Sequence, residues 1–324
     1  MDCRRLTRRA TIHEGVARWN ACHPTVAFDH RIAEQRLFSP ADGVATTAWG
    51  GFVDGDLAGF VATKRLREPV PGYPETDTGW VSLMVVDPLL ADPVEDGTTL
   101  LETAVGDMRD DGITTIRFGV DIRKFLPGLP AAAEVYAPAL ESVGFERGRE
   151  LWDLYCDIGS PDARAAMAPH LDAPDGVRAR RARPEDEVAL HAFMEREFDG
   201  RWAYQVETNC RLPGGLQDYW LVERDDEVVA FARTGCADSS VLTACVNWLD
   251  RWGARYCGLG PIGVAEDERG NGYGLHLIAS AMDTFRETGY HHMTIDGVAA
   301  GLLDYYAQLE FSPELAFVGY ATDQ

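Results

Sequence analysis

The stretch Gly263-Val264-Ala265-Glu266-Asp267-Glu268-Arg269-Gly270-Asn271-Gly272-Tyr273-Gly274-Leu275-His276-Leu277 changes character twice. The apolar run that ends in it, Pro261 to Ala265, reads as a buried strand. A polar turn follows, with glycines at 270, 272 and 274. Beyond it Leu275, Ile278, Ala279, Met282 and Phe285 recur at helical spacing. Glycines let a backbone take unusual dihedrals and approach a ligand closely. Successive N–H groups at a helix start attract an anion, and the helix dipole adds to the pull. Arg269 supplies a fixed positive charge with a forked set of donors. The residues therefore describe a cradle for a phosphate or pyrophosphate.

A glycine triplet alone also fits a dinucleotide fingerprint or a plain turn. Here Gly270-x-Gly272-x-Gly274 misses the G-x-G-x-x-G spacing, and no P-loop lysine follows. The string instead resembles motif A of the GNAT (Gcn5-related N-acetyltransferase) superfamily, Arg/Gln-x-x-Gly-x-Gly/Ala after a strand ending in Val. It stands here as Arg269-Gly270-Asn271-Gly272-Tyr273-Gly274, with Val264 ahead of it. The resemblance implies acetyl-CoA as co-substrate, its pyrophosphate on the amides of residues 270 to 274. One departure is Glu266, where the family usually has proline; it puts a carboxylate near the cleft.

At 324 residues the chain accommodates two ordinary domains, and 46% apolar content suits a folded core. No apolar run reaches the ~18 residues of a membrane span, and Met1-Asp2-Cys3-Arg4-Arg5 lacks an apolar signal core. The seven cysteines are scattered and form no Cys-x-x-Cys. That pattern suits reduced thiols in a cytoplasm and argues against a metal site. A net charge of −22 argues against nucleic acid as partner. An acidic surface fits simple solvation, and it also fits a cationic substrate.

Taken in order, the chain reads as two matching series. The first has helices over 13–20 and 31–37, a hairpin 45–53/57–65 turning at Asp54-Gly55, a strand 80–86 and a helix 98–110. A strand 113–120, a helix 131–142 and a strand 151–158 complete it. Residues 160–176, rich in Ala, Pro and Asp, read as a linker, with a short helix inside it as the alternative. The second series has a strand 177–183, a helix 184–198, a hairpin around Asp225-Asp226 and the strand 261–265. The helix 273–288, the strand 292–296, the helix 301–309 and the strand 315–321 then follow. Val143-Gly144-Phe145 answers Leu309-Glu310-Phe311, an internal repeat at domain scale. The expected fold is α/β: two tandem GNAT-like domains, 1–159 and 177–324, each a mostly antiparallel mixed sheet flanked by helices. Two fused copies supply a pseudo-dimer, so a monomer or a homodimer is expected.

The copies are unequal. In the first, Asp92 stands where Arg269 stands in the second, prolines 88 and 93 remove amide donors, and Asp92, Glu95 and Asp96 would repel an anion. The first copy is therefore expected to be a scaffold and the second to be the active domain. The apolar loop 125–130 could wall the cleft or simply pack.

For the second copy the resemblance implies the amide of Ile262 as donor to the thioester oxygen, Val264 against the pantetheine arm, and Tyr306 as the acid that protonates the leaving thiolate. A phenol with pKa about 10 can do this without prior ionisation. The first copy has Leu140 at the position of Tyr306, and the second departs from the family at Glu310, in place of glycine, and Ala299, in place of asparagine. Glu266 and Glu223 are candidate bases, with a water chain as another route. His276, His291 and His292 read as structural. Phe198, Arg201 and Trp202 fall where the family places one wall of the acceptor site; anchoring of a loop explains them equally. The expected function is N-acyl transfer, most simply of acetyl from acetyl-CoA to a small amine, without metal, nucleic acid or membrane. The rival reading is a CoA-binding sensor or partner-binding protein that no longer transfers acyl groups.

Overall fold

The structure, a computed structural model, describes residues 1–38, 43–70, 76–212 and 214–322. The remaining residues of the expected domains, Pro213 and Asp323–Gln324 among them, lie outside the described ones.

Two hairpins open the two sheets for the same local reason. Asp54 and Gly55 both take positive φ, 53° and 93°, and so do Asp225 and Asp226, at 52° and 66°. This is the turn whose twist matches paired strands. The first turn joins strands Val44–Val53 and Asp56–Leu66, the second Tyr219–Arg224 and Glu227–Cys236. Both returning strands are buried along nearly their whole length.

The chain forms two compact units. Among the described residues, one takes those up to 70, 76–151 and 315 onward; the other takes 152–314. In the first, the strands run Asp2–Leu6, Val44–Val53, Asp56–Leu66, Thr78–Val86, Thr115–Phe118 and Ser312–Thr322. All pair antiparallel except Thr78–Val86 with Thr115–Phe118, which is parallel. In the second, Glu146–Asp157, His292–Ala299, Tyr256–Val264, Glu227–Cys236, Tyr219–Arg224 and Val177–Arg181 follow one another. Here Tyr256–Val264 pairs in parallel with His292–Ala299. The units therefore differ from the segments 1–159 and 177–324. The strand that ends the second series closes the first unit's sheet, and residues 152–157 of the strand that ends the first series lie in the second unit. Periodicity places a strand but not its partner, because pairing is decided by contacts far apart in sequence.

Several expected elements are corrected. Most of 160–176 is helix rather than linker: Pro161–Leu171 is capped by Ser160, whose Oγ accepts from the Ala163 amide at 3.1 Å. It buries Ala163 and Met167 in the core under the helix Tyr273–Glu287. The small alanines weaken the apolar signal while allowing close helix contact. The helix expected at 98 begins at Pro93, with Asp92 accepting from Glu95 N at 3.0 Å. Its acidic residues thus form a normal first turn. The strand expected over 261–265 begins at Tyr256. Strand Asp2–Leu6 and helix Arg201–Cys210 were not expected at all. Among the described residues no helix is long and apolar enough to cross a membrane.

The first unit holds a fully buried ion pair. Lys64 Nζ donates to Asp121 Oδ2 at 2.8 Å, with Ser82 Oγ donating to the same oxygen at 2.9 Å. Burial pulls the Lys64 ammonium down to about 8 against the hold of Asp121. Burial also opposes the charge on Asp121, but Lys64, Ser82 and the Arg123 amide outweigh it and keep the carboxyl below its ordinary range. Removing one partner strands the other charge. Lys64→Met is therefore expected to cost about 3–5 kcal/mol in urea unfolding, and adding Asp121→Leu to recover most of it. A single variant as stable as the parent would show that the pair is unimportant.

Candidate functional site

Strand Tyr256–Val264 has two partners along its first part and one along its last. Tyr256 to Leu259 pair in parallel with His292 to Ile295. That ladder stops at Leu259, while Ile262, Gly263 and Val264 continue opposite Ala232, Phe231 and Ala230. The Ala265 amide donates to Val229 O at 2.9 Å. Antiparallel strands alternate inward and outward peptide groups. Gly263 and Ala265 therefore face Glu227–Cys236, and the peptide groups of Ile262 and Val264 face the gap. Arg269 Nε reaches the Val264 carbonyl on that side at 3.3 Å. Gly263 is required here: a Cβ would stand 2.5 Å from Phe198 and 2.7 Å from Phe231.

The turn after the strand is built to leave amides free. Gly270 and Gly272 take φ of 83° and 80°, which suit glycine, and nothing lies within 4 Å of either missing Cβ. Gly272 is the N-cap of helix Tyr273–Glu287 and offers no side-chain cap. Among the described residues no group accepts from the amides of Gly270 to Leu275. These are the orphan donors of a helix start. The carboxylate of Glu268 is nearby but committed: it pairs with Arg224 at 2.6 Å and accepts from Asn271 Nδ2 at 3.2 Å. The helix stays in place because Leu277, Ile278, Ala281 and Met282 are fully buried on the sheet.

Strand gap and turn open into one cavity of about 380 Å³. Its lining includes Ile262, Val264, Arg269, Gly270, Gly272, Tyr273 and Gly274, with Leu302, Tyr305 and Tyr306 on the far side. The two tyrosine rings meet edge to face at 5.1 Å. Burial pushes Tyr305 up to about 12. Burial, with smaller contributions from Tyr305 and Asp296, pushes Tyr306 further. Both phenols therefore hold their protons at neutral pH. A Cβ on Gly274 would stand 2.2 Å from Tyr305 Oη, so that glycine makes room for the hydroxyl.

The residues singled out from the sequence divide into three groups. Ile262, Val264, Arg269, Gly270, Gly272, Tyr273, Gly274 and Tyr306 converge on the cavity, and Asn271 braces it through Glu268. Glu266 does not line it: the side chain is exposed, and its amide donates to Glu197 Oε2 at 3.1 Å. Its place beside the strand said nothing about where its carboxylate points. Glu223 is held by Arg180, which also carries Asp186. Phe198, Arg201 and Trp202 do not line the cavity either. Phe198 and Trp202 pack on Phe231, at 5.5 and 5.8 Å between rings, on the other face of the strand. Sequence reasoning passed over Tyr305, whose signal was the glycine it covers, visible only once the two are brought together. Glu310 takes φ of 64°, so the backbone keeps the glycine-like geometry despite the substitution, at a cost on the order of 1 kcal/mol.

The first unit fills the same places with its own side chains. Val86 occupies the ladder position of Val264, counting from the paired starts Thr78↔Thr115 and Tyr256↔His292. Its amide donates to Tyr136 Oη at 3.2 Å, and the same hydroxyl donates to the Val86 carbonyl at 3.1 Å. His23 Nε2 lies 2.9 Å from Tyr136 Oη. The peptide edge that is open in the second unit is closed here, and Asp92 caps the helix that follows.

Residues 183–311 match the Acetyltransferase (GNAT) family. No curated protein matches the chain in sequence. Among solved structures, the glucosamine N-acetyltransferase region of a fungal multi-domain GH3 β-N-acetylglucosaminidase superposes with a TM-score of 0.83 at 21% identity. That match covers 99% of this chain, which spans 38% of the fungal protein's length. A tandem GNAT protein of clavulanic acid biosynthesis gives 0.68 at 16% identity, covering 99% of this chain and 98% of the other. A GCN5-related N-acetyltransferase of Sphaerobacter thermophilus gives 0.69 at 14%, covering 99% and 95%.

Proposed function

With a GNAT-family domain at 183–311 and the tandem GNAT fold along the chain, we propose that this protein is an acyl-CoA-dependent N-acetyltransferase whose second unit is the active one. The observation that carries the reading is the meeting, in one cavity, of an outward-facing peptide edge at Ile262 and Val264 with uncommitted amides at Gly270 to Gly274. The first suits the amide-rich arm of coenzyme A and the second its pyrophosphate. Arg269 adds charge-assisted contact to the same group. A cavity of this volume is in the range of small-ligand sites.

The chain's own groups divide the remaining work. The Ile262 amide polarises the thioester carbonyl and supports the charge that develops on its oxygen. An amine held beside it attacks the carbonyl carbon, and the carbon–sulfur bond breaks with its electron pair on sulfur. Tyr306 donates its proton to that thiolate. Direct transfer in a ternary complex needs no covalent intermediate on the protein. A small polar amine is the preferred acceptor class, and the glucosamine named for the fungal relative is the first compound to try.

Release of free CoA thiol from acetyl-CoA, measured across a set of amines, amino sugars and aminoglycosides, tests this. Acceptor-dependent release is expected. Binding of acetyl-CoA with no release on any acceptor would favour a CoA-binding sensor. For Tyr306→Phe we expect turnover to fall about 100-fold with acetyl-CoA affinity unchanged by calorimetry. Unchanged turnover would remove the acid role. Tyr305→Phe, which keeps the ring over Gly274, is expected to have the smaller effect.

A further inference from the structure

Of the two carboxylates considered as base for the amine's proton, Glu266 is exposed and Glu223 is held by Arg180. The geometry points to Asp296. It is the first residue after the parallel ladder ends at Leu259↔Ile295, so it stands where the two strands begin to part. Met293 and Ile295 are buried in the core under helix Tyr273–Glu287, and alternation turns Thr294 and Asp296 to the opposite face.

Three features are arranged around this carboxylate. Gly260, on the neighbouring strand, has φ of 150°, and a Cβ there would stand 2.7 Å from Asp296 Oδ1. The strand thus gives up a side chain where the carboxylate lies. Next, the Gly297 amide donates to Asp153 Oδ1 at 2.8 Å, and Asp153 Oδ2 accepts from Trp248 Nε1 at 2.8 Å. The backbone beside Asp296 is therefore held by a buried side chain that is itself fixed. Third, Asp296 is only 7% exposed and lies close enough to Tyr306 to disfavour its ionisation. The first unit supports the assignment by contrast. Gly119 holds the ladder position of Asp296, and Leu140 the place of Tyr306; the copy with a closed peptide edge has neither group.

Resting on the acetyl-transfer reading, we propose that Asp296 receives the ammonium group of the acceptor and takes its proton as the nitrogen attacks. Two N–H bonds break in all: the first proton passes to the carboxylate and leaves its pair on nitrogen, which forms the new C–N bond as the C–S bond breaks, and the second leaves nitrogen afterwards and replaces the proton that Tyr306 gives to the thiolate. The acceptor is accordingly a cationic primary amine that reaches the strand gap from the face opposite helix Tyr273–Glu287.

The test compares wild type with Asp296→Asn, an isosteric change, using glucosamine and the amines that wild type accepts. The result expected is a loss of at least about 100-fold in kcat/KM for thiol release. Acetyl-CoA affinity and the thermal midpoint should not change. Asp296→Asn retaining activity within about threefold of wild type would overturn the proposal while leaving the acetyl-transfer reading intact. If wild type releases no thiol with any amine, that reading fails instead. Calorimetry of glucosamine binding to the CoA complex then decides on Asp296 independently: loss of binding in Asp296→Asn supports it, and equal binding refutes it.

Discussion

The double variant Arg269→Glu, Gly272→Asp is expected to lose at least about 100-fold in acetyl-CoA affinity by calorimetry while melting close to wild type. Two negative charges replace one positive charge at the turn. At a few ångströms from a diphosphate each unfavourable pair costs on the order of 1 kcal/mol even in partly screened surroundings. Lost charge-assisted donors add about 1.5–3 kcal/mol. Together these exceed the ~2.7 kcal/mol that a 100-fold change requires. The fold should tolerate the change, because Arg269 is exposed and the missing Cβ of Gly272 faces open space. Aspartate is also among the residues that accept the left-handed backbone present there. Equal affinity in the double variant would sink the assignment of the turn, and with it the proposed activity.

Deleting residues 315–324 is expected to remove the thermal transition of the first unit. Phe317, Val318 and Tyr320 are buried, and Tyr320 to Thr322 pair with Phe118 to Ile116. Each buried large side chain is worth about 1.5–3 kcal/mol, and a whole domain has only about 5–15 to lose. The deletion also leaves Thr115–Phe118 as a bare edge, which invites association with other chains. Calorimetric melting and light scattering of the shortened chain are the measurements. A melt indistinguishable from that of the full chain would show that the strand is dispensable.

Much of this was written locally in the sequence. The hairpins at Asp54-Gly55 and Asp225-Asp226 depend on adjacent residues, and so does the Arg269–Gly274 turn, with its glycines and arginine in one short string. What was not legible depends on distance. Nothing in the alternation of residues 312–322 says that they complete the unit formed by the chain's beginning. The role of Tyr305 depends on Gly274 and the placing of Asp296 on Gly260; neither pair is close in sequence. A single acid in a strand otherwise reads as a solvated edge. The extent of helix Pro161–Leu171 was illegible for a different reason, since alanines give little periodicity even when the helix they form is packed. Glu266 shows the converse limit. A residue adjacent to the site in sequence can still project into water.

The pairing of Phe118 with Tyr320 also sets a timetable for synthesis. A ribosome adding about 5–20 residues per second takes roughly 10–40 s to travel between those two positions. Throughout that interval the nascent first unit carries an unfinished sheet, and its last strand does not yet exist. Its folding cannot run to completion domain by domain behind the ribosome. It must wait until the second unit's coding sequence, which ends at Glu314, has been read through.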